Sequence, residues 1–353
     1  MKQGRRESPL FEKVLMKSFY QCECLDKALK ARHGEFIHLP YADARSLQAS
    51  GHVRISDKDY VNEIREVQDT DYMYHSNWSK RRTTRIAWCQ NYEKNGGAEI
   101  SNFNVIKIGK NLGFDIVGWN LSGENPGVEV LQGADLVILA NLHYVDDAKS
   151  TLLKWLYKNE KPFVKYDHDC FEEEKSIYLK SKLNIFISPK HKKYYVDLCG
   201  EVINDKSTCL PLAFNVDSWA SKGEHTPGTV FIPSYEKCRG NVFDFIRDNP
   251  QYNYYVSSEI APSGKNVFQL GKINYDKMKE YYPRYETVYH CPLERCAGER
   301  ILFEAVMSGC KVITNEHAGH TSWDFDWRDE KVLRPILSKA VYEFWAAVDK
   351  VLK

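Results

Sequence analysis

Residues 296–319, CAGERILFEAVMSGCKVITNEHAG, set the reading of the chain. The segment divides into a loop, a helix, a glycine stop, a short strand and a turn. Gly298 opens the helical part, and Ile301, Leu302, Ala305 and Val306 recur at spacings of three and four, which puts them on one face. Gly309 falls where a helix C-terminus is expected. Lys311-Val312-Ile313-Thr314 then reads as a strand, followed by a polar turn through Gly319. Glu304 interrupts the helix between Phe303 and Ala305. A carboxylate among core positions needs partners, because burying it unpaired costs several kcal/mol. Ribose hydroxyls meet that need, and the start of the same helix suits a diphosphate. The segment therefore predicts part of a nucleotide-sugar pocket.

Working outward, strand and helix patterns alternate along most of the chain. Residues 85–89, 115–119, 134–141, 162–166 and 184–188 read as strands, with helices at 98–112 and 148–159. The second half repeats the scheme, with strands at 229–233, 252–257 and 267–271 and helices at 240–248 and 275–282, and residues 287–290 lead into a loop at 292–298. Residues 339–352 read as an amphipathic terminal helix. The alternation predicts an α/β fold with parallel, doubly wound sheets that bind ligands at the carboxyl ends of their strands. Gly96-Gly97 and Asp167-His168-Asp169 fall at such ends.

Four motifs carry a resemblance. Glu304 to Thr314, EAVMSGCKVIT, is similar to the "EAMA-x-G-x-PVI" signature of retaining glycosyltransferases of family 4. Trp88 to Glu99 resembles the family's first loop, a strand followed by a Gly-Gly-Ala-Glu turn into a helix. Leu210 to Asp217 is similar to the family's interdomain "P-x-G-x-N-x-VD", and Lys237-Cys238-Arg239-Gly240-Asn241 lies near its Lys-Gly. Together they cover roughly residues 84–330 in the family's order.

The resemblance implies a GT-B fold of two Rossmann-like domains with a small added N-terminal α/β module. Residues 1–83 would be that module and a linker, 84–212 the acceptor domain and 213–335 the nucleotide-sugar domain, with 336–353 a helix crossing back to the first. It implies transfer of a hexose-type sugar from a UDP- or GDP-linked donor to a hydroxyl, with retention and no protein nucleophile. Glu304 would hold the ribose. Arg239 and Arg300 would offset the diphosphate, with Ser234, Gly298 and Glu299 lining the donor site. Gly96, Gly97 and Glu99 would form the acceptor and phosphate loop, and His168 with Asp167 would face the sugar or acceptor. The chain departs from the family in two places. Cys296 stands where the family has a sugar-contacting glutamate, with Glu294 and Glu299 out of register, and Ser234 or Tyr235 stands where it has an arginine.

Other readings stay open at this point. Asp167-His168-Asp169 also fits a carboxylate clamp for a divalent ion such as Mg2+ or Mn2+, although the family needs no metal. The two aspartates also fit a plain helix cap. His317 and His320 fit either a sugar contact or a solvated turn. The acceptor is unidentified. Phage-type enzymes of this fold glycosylate hydroxymethylated pyrimidines in DNA, and the basic runs Lys80 to Arg85 and Lys190-His191-Lys192-Lys193 are compatible with phosphate contacts. Loss of the motif glutamate to Cys296 is compatible with a non-catalytic nucleotide-sugar-binding protein.

Composition agrees with an enzyme of two domains. The chain has 353 residues, 43% of them hydrophobic, and a net charge of +1, which argues against a protein devoted to nucleic acid. Ten cysteines without zinc spacing predict reduced thiols and a cytoplasmic protein. Neither a signal peptide nor a membrane span is expected. In residues 1–83, strands are expected at 34–40 and 52–55, and helices at 41–50 and 57–67.

Overall fold

The computed structural model describes residues 84–92, 96–122, 127–142, 146–170, 174–213, 215–219 and 223–353, with three short strands before them at 20–24, 36–39 and 53–55. Two compact units result, Met1–Arg82 and Thr83–Lys353. In the first unit β1 (Tyr20–Cys24) pairs antiparallel with both β2 (Phe36–Leu39) and β3 (Val53–Ile55). β2 and β3 match the strands expected there, whereas β1 has no counterpart among the expected elements. The helices expected at 41–50 and 57–67, and the basic residues Lys80, Arg81 and Arg82, lie outside the described residues.

The second unit contains two lobes, each built on a parallel sheet. In the first, β4 (Arg85–Gln90), β5 (Asp115–Asn120), β6 (Leu136–Ala140), β7 (Phe163–Tyr166), β8 (Leu183–Phe186) and β9 (Ser207–Cys209) lie in the order β5-β4-β6-β7-β8-β9. Helices α1 (Gly97–Asn111), α2 (Val128–Gly133), α3 (Asp146–Lys158), α4 (Lys175–Lys180) and α5 (Pro189–Cys199) make the crossovers. Because helices cover both faces, strands such as β6 are apolar and buried throughout. β4 has β5 on one side and β6 on the other, so the switch-point crevice opens at the carboxyl ends of β4 and β6. Gly96, the N-cap of α1, and Asn141, held at φ +58°, stand at that crevice. α2 and α4 span six residues each, too few to show a helical period. α5 does carry a start signal, because Ser188 caps it by accepting from the His191 amide and Pro189 follows at its first position.

The second lobe repeats the plan. β10 (Thr226–Ile232), β11 (Asn253–Val256), β12 (Val267–Gln269), β13 (Tyr285–His290) and β14 (Lys311–Thr314) lie in the order β12-β11-β10-β13-β14. Their helices are α6 (Tyr235–Asp248), α7 (Tyr275–Tyr281) and α8 (Arg300–Met307). Gly309, at φ +82°, terminates α8 as its sequence position predicts. Gly240 does not start α6 but sits within it, where a Cβ would lie 3.3 Å from Leu293.

The terminal helix α9 (Glu330–Leu352) starts well before Lys339. Asp329 caps it by accepting from the Lys331 amide at 2.8 Å. Pro335 lies in an early turn of this helix, where only one ladder hydrogen bond is lost. Leu333 and Leu337 of α9 pack into the second lobe's core, while Phe344 and Trp345 pack on Trp88, Phe114 and Tyr166 of the first lobe.

The lobes meet again around α5. Ser188 Oγ donates to the Ala297 carbonyl at 2.5 Å, and the Lys190 amide donates to Ser322 Oγ at 3.0 Å. Gly319 closes this contact, since a Cβ there would lie 1.9 Å from the Ala297 oxygen and 2.6 Å from Ser188 Oγ. A backbone atom cannot rotate away, so Gly319→Ala is expected to cost about 1–3 kcal/mol by overpacking. Urea denaturation checks this, and a loss below about 0.5 kcal/mol would show that the contact yields freely.

Candidate active site

On the second lobe, α8 presents its N-terminus to the cleft. Glu299 is its N-cap, with one carboxylate oxygen 2.9 Å from Lys237 Nζ and the other 3.4 Å from His290 Nε2. Burial alone would raise the Glu299 pKa, but Lys237 and His290 together outweigh it and hold the carboxyl well below the usual carboxylate range. Ser234 is the N-cap of α6 and makes no side-chain cap bond. Arg239 lies exposed on the same helix. Gly298 lies against His320, whose ring is fully buried and stacks on Phe303 at a centroid distance of 3.9 Å. His320 is therefore not part of a solvated turn.

One turn into α8, Glu304 is buried at 2% exposure and fully engaged. It accepts from Arg300 Nε at 2.5 Å, from the Tyr275 hydroxyl at 2.7 Å and, at 3.5 Å, from the Tyr282 hydroxyl. Burial first, and Glu304 second, raise both tyrosine pKa values, so the phenols stay protonated as donors. Arg300 also reaches across the cleft, where its Nη1 donates to Ser101 Oγ of α1 at 3.0 Å. Its Cδ lies 3.8 Å from where a Cβ on Gly97 would be. Beside this bridge a cleft of about 470 Å³ runs between Phe103 and Lys107 of α1 and Trp219, Tyr275 and Lys279 of the second lobe.

On the first lobe, Glu99 is spent on structure. It accepts from the Gly96 amide at 3.1 Å and from Asn141 Nδ2 at 2.6 Å, which satisfies the N-cap amide of α1 and ties the helix to the end of β6. Asp167 is buried inside the lobe and accepts from the Tyr178 hydroxyl at 2.6 Å, the His168 amide at 3.0 Å and Lys165 Nζ at 3.4 Å. That environment is not the cleft-facing position a metal clamp requires, and the segment 171–173, where a helix capped by the two aspartates is expected, lies outside the described residues. His168 Nε2 lies 2.9 Å from Asn102 Oδ1 of α1. Among the described residues no group of three or more His, Cys, Asp or Glu side chains is placed to hold a metal ion.

Thus the fold brings Arg300 and Glu304 together with the start of α1, and sets His168 on the sheet side of that helix. It does not join Arg239 or Ser234 to them. Tyr275, Tyr282, Ser101 and Asn102 enter the site without any sequence motif of their own, and in the 237–241 motif it is Lys237 rather than Arg239 that meets the start of α8. Lys165, a lysine in a central β-strand run, is the visible hint of the Asp167 pair. The basic run 190–193 is largely engaged by other parts of the chain. Lys190 Nζ donates to the Glu316 carbonyl, Lys192 to the Ser207 carbonyl at 3.2 Å and Lys193 pairs with Asp197 at 2.9 Å, while His191 is buried.

Three buried histidines impose a pH dependence. Burial pushes His168 and His320 down to about 3 and lowers His191, against a weaker opposing pull from nearby carboxylates. A neutral buried imidazole is protonated on unfolding, so stability is full above about pH 6.5 and declines as pH falls from there toward 3. At pH 5 the loss is about 2 kcal/mol for each of His168 and His320. Urea midpoints at pH 7.5 and 5.0 check this, and His320→Leu should shrink the difference. Equal midpoints would refute it.

A glycosyltransferase from Rickettsia africae superposes with TM-score 0.53 at 14% identity, covering 77% of this chain and 96% of that one. Sucrose-phosphate synthase from Thermosynechococcus elongatus gives TM-score 0.52 at 12% identity, with 76% and 94% covered. HepE of Anabaena, in complex with UDP and glucose, gives 0.51 at 11% identity, with 76% and 97% covered. No family model matches the chain, and no curated protein matches it. The fold is therefore the GT-B architecture of nucleotide-sugar glycosyltransferases, two parallel α/β lobes about a cleft. No described helix is long and apolar enough to cross a membrane.

Proposed function

We propose that this chain is a glycosyltransferase that moves a hexose-type sugar from a UDP- or GDP-linked donor to an acceptor hydroxyl, with retention of configuration. The observation that carries the reading is the cross-cleft cluster, in which Arg300 and Glu304 on α8 meet Ser101 on α1 beside Gly97. Donor binding exchanges the partners of Glu304. Ribose hydroxyls replace Arg300 and Tyr275 on the carboxylate, and Arg300 turns to the diphosphate, where charge builds as the sugar leaves. Gly298 and Glu299 line that donor site, and Ser234 and Arg239 on α6 are assigned to it by the resemblance alone. Gly96, Gly97 and His168 present the acceptor hydroxyl from the first lobe, with no metal in the assignment. The presence of UDP and glucose in a solved neighbour of the same fold supports this reading without fixing the base or sugar. Incubation with a panel of UDP- and GDP-sugars tests it. Binding with slow donor hydrolysis is expected, and a folded preparation that shows neither would sink the proposal.

A second reading is a nucleotide-sugar-binding protein without turnover. Cys296, at the position of the family's sugar-contacting glutamate, supports it. Such a protein binds donor but forms no product with any acceptor.

A further inference from the structure

On α1, Ser101, Asn102, Val105 and Gly109 are buried. Ile100, Phe103, Asn104 and Lys107 recur three and four apart on the other side of the helix and, with Arg300, line the cleft of about 470 Å³. Trp219 and the α7 residues Tyr275 and Lys279 line it from the second lobe. That volume falls in the range of small-molecule sites, about 300–1,000 Å³.

The walls give the molecule its chemistry. Phe103 is 40% exposed on the first lobe, one of the few large apolar side chains that the described residues leave in water. On the second lobe the rings of Trp219 and Tyr275 lie 5.9 Å apart. Rings on both walls favour a flat group between them. Each wall also carries an exposed lysine, Lys107 and Lys279, and neither makes a hydrogen bond or ion pair with a described residue. Asp276 is the one acid among the described lining residues, so the lysines leave the lining net positive. Arg300 does not alter that balance, because Glu304 neutralises it. Cations that face one cleft from two lobes attract an anion. Neither lysine stands at the start of α8, where the donor reading seats the diphosphate, so a donor held there leaves both of them unused.

We propose that this cleft is a binding site for a small molecule that joins a flat aromatic group to a phosphate or carboxylate. Phe103, Trp219 and Tyr275 hold the flat part, and Lys107 and Lys279 hold the anion. The site is separate from the donor's and stands without the donor reading.

The test uses the full chain and isothermal titration with naphthyl phosphate, naphthoate, naphthol and inorganic phosphate. The two naphthyl anions should bind about tenfold more tightly than naphthol, which is uncharged at neutral pH, and than phosphate, which lacks the ring. The tighter of the two identifies the anion. Lys107→Gln and Lys279→Gln should each lose about threefold to fivefold in affinity, and the double variant about tenfold or more. Phe103→Ala should lose about tenfold. All three side chains are exposed, so these variants should fold. In NMR titration the indole N–H signal of Trp219 should move while that of Trp88, fully buried in the first lobe, stays. Saturating UDP or GDP should leave probe affinity within about threefold, less than half a decade of binding constant. The proposal is overturned if naphthol binds as tightly as the anions, if the double lysine variant binds them as well as the unaltered chain, or if Trp88 moves and Trp219 does not. Displacement of the probe by UDP or GDP also overturns it, because the cleft would then belong to the donor's seat. A chain that binds the naphthyl anions but neither UDP nor GDP refutes the donor reading alone. One that binds a nucleotide but no naphthyl anion refutes this site alone.

Discussion

Replacing Glu304 with alanine should destabilise the protein by about 3–5 kcal/mol and abolish sugar transfer. The carboxylate is the shared acceptor for Arg300, Tyr275 and Tyr282, and all four side chains are mostly or fully withdrawn from water. Without it the Arg300 guanidinium stays buried with Ser101 as a neutral partner, and two phenols lose their acceptor. The cost therefore comes mainly from what is left behind. Arg300→Met with Glu304→Leu removes both charges and keeps much of the volume, so it should cost far less than Glu304→Ala alone. Urea denaturation of the two variants decides the matter. A single variant no worse than the double would mean that water reaches Arg300 freely. Activity supplies a second readout. The double variant should fold yet fail to bind nucleotide, because nothing then accepts from the ribose.

Trp345→Ala should cost about 3–5 kcal/mol and free the end of α9 from the first lobe. The indole is fully buried and donates to the Val105 carbonyl at 2.9 Å. It stacks on Phe114 at a centroid distance of 4.6 Å and lies 6.3 Å from Trp88. Gly109 exists to admit it, since a Cβ there would lie 2.1 Å from the ring. The lesion should be local in hydrogen exchange. Amides of the last two turns of α9 should lose protection, while those near Leu333 and Leu337, packed in the second lobe, should keep it. Uniform loss across α9 would instead mean that the helix docks as a single unit.

Much of the scaffold is legible in the amino-acid sequence. The 296–319 segment folds as its periodicity predicts, because a buried helix must repeat its apolar face every three to four residues and Gly309 can adopt φ +82° without strain. Parallel strands are legible as apolar runs because both of their faces are covered. Short helices are not, since six residues hold too little period, and a reading of α9 from Lys339 misses its first turns.

The site is legible only in part. Glu304 stands out as an acid in an apolar run, and that pattern alone requires it to be paired. Its nearest partner, Arg300, stands four residues earlier on the same helix, but Tyr275 and Tyr282 come from outside it. Arg300 meets Ser101 across 199 positions, and Lys237 meets Glu299 across 62. Local pattern governs which residues turn inward, because backbone geometry repeats over a few residues. The mate of a buried charge depends on how elements far apart in the chain come to rest against one another, and that is set by the packing of α1, α6 and α8 about the cleft.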